Sequence, residues 1–348
     1  MTDASDQTTI LELPRVGAVP TASGRLRTCP EDFQVDEVLG FEPDGEGEHA
    51  LLHVRKRNTN TDWLARQLAK HAGVRAADVS YSGQKDRAAV TTQWFSVHLP
   101  GRPDPDWSAL ASDDVEFLHI GRHARKLRRG SHRANRFVIT VRELEGDAAG
   151  LEPVLQRIAA DGVPNYFGEQ RFGRGGGNLE RAEALFAGEL KRVDRQQRSM
   201  YISAARSHLF NAVLARRVTD GVWNRAVDGD MMMLDGSQSV FAVETVDADI
   251  ERRVREMDIH PTGPMWGRGT NPATGACRAL EDEVLAPWST LRDGLEHVGL
   301  KQERRALRLP VAGLSWEFPD AGSLRLCFTL PRGAFATVVL REVVDYRV

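Results

Sequence analysis

Cysteine is scarce. The 348 residues hold three, Cys29, Cys277 and Cys327, too far apart to form a CxxC pair or a Cys/His cluster with ligand spacing. A structural zinc site is thereby excluded, and the chain suits a reducing cytoplasm. No run approaches the roughly 18 apolar residues of a membrane span. Met1 to Thr9 is polar and lacks the cationic and apolar regions of an export signal, so export is not expected. A phosphate-binding GxxxxGK[ST] loop and a dinucleotide GxGxxG fingerprint are both missing, which leaves nucleotide hydrolysis and nicotinamide chemistry without a footing. No internal repeat or low-complexity segment is evident.

Acidic residues are missing from the most basic stretch of the chain. From Phe117 to Arg142 there is no Asp or Glu, while Arg122, Arg125, Lys126, Arg128, Arg129, Arg133, Arg136 and Arg142 accumulate beside His119, His123 and His132. The net charge of −3, from 46 Lys and Arg against 49 Asp and Glu, conceals this patch. A polyphosphate ligand responds to the local field rather than to the molecular sum, so the run is a candidate nucleic-acid surface. A solvated basic loop is the plainer alternative.

Length and a 41 % hydrophobic content provide for a sizeable core and two domains. Residues 1–20 mix small polar groups with Pro14 and Pro20 and read as a flexible or loosely docked arm. Phe33–Val38, His49–Val54, Gln93–Leu99 and Phe137–Val141 are short, rich in β-branched and aromatic residues and partly alternating, as strands are. Asn60 or Thr61 caps a helix that places Leu64 and Leu68 one turn apart and stops at Gly73. Further helices are expected over Glu152–Ala160, Leu179–Ala187 and Ser203–Arg217, a strand over Val240–Val243, strand or core filling at Met231–Met233, and a turn-rich loop over Pro261–Gly269. Leu324, Leu326, Phe328 and Leu330 alternate on one face before a short helix, Phe335–Arg341, so the terminal strand is expected to complete the first sheet. The resulting fold class is α+β: a discontinuous core of residues 21–160 and 310–348, with a mixed, mostly antiparallel sheet flanked by helices, and an inserted α+β domain over 161–309.

The chemistry centres on Ser82-Gly83-Gln84-Lys85-Asp86-Arg87-Ala88-Ala89-Val90-Thr91-Thr92-Gln93. A carboxylate between two cations stays ionised, and a glycine-containing turn can present it outward as a nucleophile or base. Alone, the triplet is more often a salt-bridged surface turn. The longer string resembles the signature of the TruD family of transfer-RNA pseudouridine synthases. Other strings follow in that family's order: Pro30-Glu31-Asp32-Phe33-Gln34-Val35-Asp36-Glu37, Gly45-Glu46-Gly47-Glu48-His49, Lys56-Arg57-Asn58-Thr59, Asn135-Arg136-Phe137, Asn165-Tyr166-Phe167-Gly168-Glu169-Gln170-Arg171-Phe172-Gly173, Thr262-Gly263-Pro264 and Leu330-Pro331-Arg332-Gly333-Ala334-Phe335-Ala336-Thr337. The resemblance spans about Gly24 to Glu342.

This resemblance implies a pseudouridine synthase core carrying a family-specific insertion, no cofactor or metal, and transfer RNA as partner, with no membrane and no required protein partner. It implies Asp86 as catalytic carboxylate and the uridine at position 13, in the D arm, as target. Attack on C1′, attack on the uracil ring, and sugar-proton abstraction toward a glycal remain open, the last being favoured for the family. Arg27 stands where the family usually has Lys and is the expected ion-pair partner of Asp86; it keeps the charge and adds a bidentate fork. Lys85 and Arg87 are expected to serve the fold, phosphates or solvent. Phe33, Asn135 and Phe335 are implied substrate contacts, and Phe137 is a further candidate to pack on the extruded base. On pattern alone Phe33 and Phe137 are more often core residues. Arg122, Arg125, Lys126, Arg128, Arg129, Arg133 and Arg136 are expected to grip the RNA backbone, with Arg171, Arg174, Arg206, Arg268, Arg304 and Arg305 extending that surface. Two other readings are an RNA-binding module without catalysis and, on a faint likeness of Gln84-Lys85-Asp86 to the N-K-x-D motif, a nucleotide hydrolase.

Overall fold

The structure, a computed structural model, describes residues 13–190 and 192–348, apart from the side chain of Arg174. The first twelve residues of the expected arm lie outside the described residues. The chain divides into two compact units: residues 21–152, 311–336 and 344–348 form one, and residues 153–310 and 337–343, with the described part of 1–20, form the other.

The first unit is built on a ten-stranded sheet. Its strands are β1 (Ala22–Arg25), β2 (Phe33–Val38), β3 (His49–Arg57), β4 (Val79–Tyr81), β5 (Val90–His98), β6 (Val115–His123), β7 (Ala134–Gly146), β14 (Ala312–Asp320), β15 (Ser323–Pro331) and β16 (Asp345–Arg347). The order is β14-β15-β7-β2-β5-β3-β6, with β4 added to β5 and the β1–β16 pair added to β7. Only β2–β5 and β1–β16 run parallel. Strand β15 pairs with β7 from Leu324 opposite Val141 to Pro331 opposite Ala134, so the chain's end does complete the sheet that its beginning starts.

Helix α1 (Thr61–Ala72) covers part of this sheet. The Asn60 side chain accepts from the amides of Asp62 and Trp63, and Gly73 closes the helix in the left-handed conformation. Leu64, Leu68, Ala69 and Ala72 then pack on Leu52, Val54, Phe95, Val97 and Trp107. Each fully buried leucine of this kind contributes about 2 kcal/mol.

The second unit contains α2 (Leu151–Asp161, from Pro153 onward), α3 (Gly177–Phe186), α4 (Arg195–Thr219), α5 (Ala248–Arg255), α6 (Gly275–Leu285), α7 (Ser289–His297) and α8 (Ala336–Val343, from Thr337 onward). Its strands β9 (Asp230–Leu234), β10 (Val240–Val243), β11 (Ile259–Met265) and β12 (Glu303–Ala306) form a sheet in the order β10-β9-β11-β12, and β8 (Val163–Pro164) pairs with β13 (Arg308–Leu309). One core gathers Ala182, Tyr201, Leu209, Val213, Leu285, Leu291 and Leu295, and a smaller one Met232, Val243, Val254 and Ile259. Helix α8 clusters with this unit although the sequence groups it with the first sheet. Arg341 donates to the carbonyls of Leu13 and Pro14, and the Val16 amide donates to Glu342 at 2.9 Å, which docks that stretch of the expected arm.

One sequence expectation is corrected. Pro261–Gly269 is not a loop throughout, because Ile259–Met265 is strand β11. Residues 259–261 pair with β9 and 262–265 with β12, so the strand changes partner midway and tolerates the donors that Pro261 and Pro264 lack. Among the described residues no helix is long and apolar enough to cross a membrane.

Candidate active site

The segment between β4 and β5 is held from below by two side chains. Gln93 of β5 donates to the Gly83 carbonyl at 3.1 Å and accepts from the Thr61 hydroxyl at 2.9 Å; that hydroxyl accepts from the Lys85 amide at 3.2 Å. Thr61 is the first residue of α1, so the helix cap and the loop share a fastening. The Gln that ends the motif is therefore a loop anchor, and it leaves Asp86 at the free side of the turn.

Asp86 Oδ2 accepts from Arg27 Nη2 at 2.6 Å, and the Asp86 side chain remains 41 % exposed. Arg27 has a left-handed backbone, φ 59°, a conformation that costs a non-glycine residue about 1 kcal/mol. Its guanidinium lies 4.3 Å from the centroid of the Phe33 ring, so an aromatic face orients the cation that meets Asp86. Phe33 in turn meets Phe137 edge-on at 6.4 Å, and Phe137 stacks on Phe328 at 5.4 Å. Phe33, beneath Arg27, and Phe137 are both buried rather than open to solvent.

Lys85 turns inward. Its ammonium reaches Glu37 at 3.2 Å and donates to Asn135 Oδ1, and both members of the Lys85–Glu37 pair are shielded from water. Of the roles expected for Lys85, these contacts fit the fold and not phosphate or solvent; Arg87, by contrast, is exposed. Glu37 and Asn135 are register partners across β2 and β7, and Leu330 of β15 lies opposite Asn135 on the other side. His132 completes the group: Nδ1 is 2.9 Å from the Ser82 hydroxyl, and Nε2 is 3.4 Å from the Asn135 amide. Burial, reinforced by Lys85, lowers the His132 pKa to about 4, so the ring is neutral. Burial raises the Glu37 carboxyl above its ordinary value, against the pull of Lys85.

Phe335 is half-buried in the turn after β15. That turn is tied to the basic segment, since Arg332 donates from its amide to the Arg133 carbonyl and from its guanidinium to the Gly130 carbonyl. Asp86, Arg27, Phe33 and Phe137 are linked through direct contacts, Asn135 is bonded to Lys85, the chain neighbour of Asp86, and the turn that carries Phe335 is tied to the basic segment.

Lys56, part of the string Lys56-Arg57-Asn58-Thr59, carries no site role on sequence grounds. It stands at the end of β3, 1 % exposed, with Nζ donating to the Thr59 carbonyl at 2.6 Å. Burial lowers its pKa to about 8, while the charge of Asp86 acts in the opposite direction. The available signal was its strand parity, which places it on the face of Leu52 and Val54, a core position for a cation.

The basic run is the end of β6, a loop and the start of β7. Arg125, Lys126, Arg128, Arg129, Arg133 and Arg136 are exposed, and Arg125, Arg128 and Arg133 have no carboxylate partner among the described residues. Arg122 is held inside by Asp104 at 2.9 Å and the Arg102 carbonyl. A cleft of about 560 Å³ opens beside the loop, lined by Asp62, Arg66, Tyr81, Lys126, Arg128 and Arg129. In the second unit, Arg304 is buried against Glu281 at 2.7 Å, and Arg206 donates to three carbonyls, so neither extends a surface as expected. No group of His, Cys, Asp and Glu suited to a metal ion occurs among the described residues.

A family profile described as tRNA pseudouridine synthase D (TruD) matches residues 15–179 and 177–343. The chain is similar to tRNA pseudouridine synthase D of Methylococcus capsulatus, 53 % identical over 335 residues that cover 96 % of this chain and 95 % of that protein. It is also 53 % identical over 330 residues to tRNA pseudouridine synthase D of Nitrosococcus oceani, covering 94 % and 92 %. Its fold is similar to a crystal structure bearing the same family name, from Methanosarcina mazei, with a TM-score of 0.74 and 23 % identity across 95 % of each chain. The motifs are thus accompanied by likeness along nearly the whole chain, and the chain belongs to the tRNA pseudouridine synthase D family.

Proposed function

We propose that the protein isomerises uridine to pseudouridine in transfer RNA, at position 13 of the D arm, with Asp86 as the catalytic carboxylate. The observation that carries this reading is the contrast among neighbouring carboxylates. Glu37 is enclosed with Lys85, Asp32 is buried against Arg142, and Asp62 is bonded by Tyr81 and Gln84. Asp86 alone among these four joins an oriented cation to an open face.

The reaction detaches uracil from ribose C1′, turns it and rejoins it through C5. One ionised carboxylate, acting on C1′, on the ring or on a sugar proton, is sufficient if the freed base is retained. Arg27 fixes the direction of the Asp86 carboxylate through their 2.6 Å contact. In this reading Asn135 offers an amide edge to the extruded uracil, Phe33 and Phe137 back the floor, and Phe335 covers the ring. The exposed cations between Arg125 and Arg136 hold the phosphates on either side. We take residues 161–309 as the family's inserted domain on the discontinuous core.

Mapping pseudouridine in transfer RNA from cells with and without the gene tests the substrate. Loss of the modification at position 13 alone is expected, and an unchanged position 13 contradicts the assignment.

A further inference from the structure

The signature Asn165 to Gly173 is not used by the reaction described above, yet it builds an unusual group within the second unit. The Arg305 guanidinium of β12 lies 4.2 Å from the Phe167 ring centroid and 5.5 Å from that of Phe210. The Arg171 guanidinium lies 5.4 Å from the same Phe167 ring. Arg305 donates to Asn165 Oδ1 at 2.7 Å, and Arg171 donates to the Ser203 hydroxyl at 2.9 Å.

No carboxylate pairs with either cation among the described residues, and the Nε of each is buried without a hydrogen-bond partner. Two other buried arginines of this unit meet a carboxylate, Arg217 with Asp230 at 2.8 Å and Arg304 with Glu281, while buried Arg308 is held by His260 and the carbonyls of Val254 and Ile259. Burial lowers the Arg305 pKa to about 10, and the charge of Arg171 acts in the same direction. Two like charges held against one ring are unfavourable unless an anion joins them, because the aromatic faces offset only part of the desolvation. The remaining N–H groups form the planar donor set that suits phosphate oxygens.

We propose that Arg171 and Arg305 form a binding site for one backbone phosphodiester of the RNA substrate, a proposal that rests on the RNA-modifying reading above. Binding of transfer RNA by the full chain, measured between about 50 and 200 mM salt, tests it. Arg171→Gln and Arg305→Gln should each bind about tenfold more weakly, the loss of one charge-assisted contact. Each should also reduce the slope of log K against log salt by roughly one. Arg305→Lys should retain the slope while binding with intermediate affinity.

An unchanged slope in both Gln variants overturns the proposal, whatever happens to their melting temperatures. Inorganic phosphate that raises the wild-type melting temperature but not that of the Gln variants, with the RNA slope unchanged, assigns the site to a small free anion and likewise overturns it. Failure of the RNA reading is seen separately, as absence of transfer-RNA binding by the wild type.

Discussion

Arg27 combines a disfavoured backbone conformation, an aromatic seat and the single short contact to Asp86. Strain of this kind persists where the surroundings over-determine it, and it concentrates at functional sites. Replacing Arg27 with Met removes both charge and orientation, and single-turnover pseudouridine formation should slow about a hundredfold, the cost of a misplaced reacting group. Arg27→Lys, which keeps the positive charge, should recover most of the rate. Equal loss in both variants would show that the pair matters only for folding. Neighbouring His132 gives a pH signature instead. Its folded pKa of about 4 lies below the ordinary 6.5, so the unfolded chain binds the extra proton, and stability falls as pH drops from 6.5 toward 4. The full shift corresponds to about 3 kcal/mol. Glu37, with its raised pKa, gives the opposite slope as its carboxyl ionises. The readout is therefore the difference between wild type and His132→Asn in urea midpoints across this range: the variant should lose the His132 part of the acid sensitivity.

At the scale of elements, the β4–β5 loop depends on the start of α1. Asn60 fixes the first turn, and the next residue, Thr61, bonds both Gln93 and the Lys85 amide. Asn60→Ala should cost about 1 kcal/mol in denaturant unfolding. It should also lower the single-turnover rate more than a surface cap elsewhere would, such as Asp247→Ala at α5, whose side chain caps Ile250. The limits of α1 were legible in the sequence because its cap, its apolar spacing and Gly73 agree. Strand β11 was not, since two prolines argue against a strand, and only its change of partner makes them tolerable. Strand β6 was hidden for another reason. It lies at the sheet edge with Leu118 and Ile120 exposed, so no alternation of apolar and polar residues marks a buried face.

Over the whole molecule, a net charge of −3 gives no sign of a nucleic-acid partner, whereas the exposed cations from Arg125 to Arg136 cluster beside a cleft on the unit that holds Asp86. The Asp86–Arg27 pair was legible because its motif and its upstream cation are local strings. The Lys85–Glu37–Asn135 group was not, because its members are brought together only when β2 and β7 pair. Lys56 was legible only through its strand parity with Leu52 and Val54, because a lysine's residue type by itself points to solvent. Both cases concern charge placed by tertiary pairing, which residue type alone does not encode.

The most direct test of the central claim is the single-turnover conversion of uridine 13 by Asp86→Asn, with transfer-RNA binding measured on the same preparation. The substitution keeps the size of the side chain and its contact to Arg27 as a neutral acceptor. It should abolish pseudouridine formation while changing RNA affinity by no more than about threefold, since the substituted group lies outside the phosphate-binding cations. Pseudouridine formed by Asp86→Asn at the wild-type rate would contradict the account.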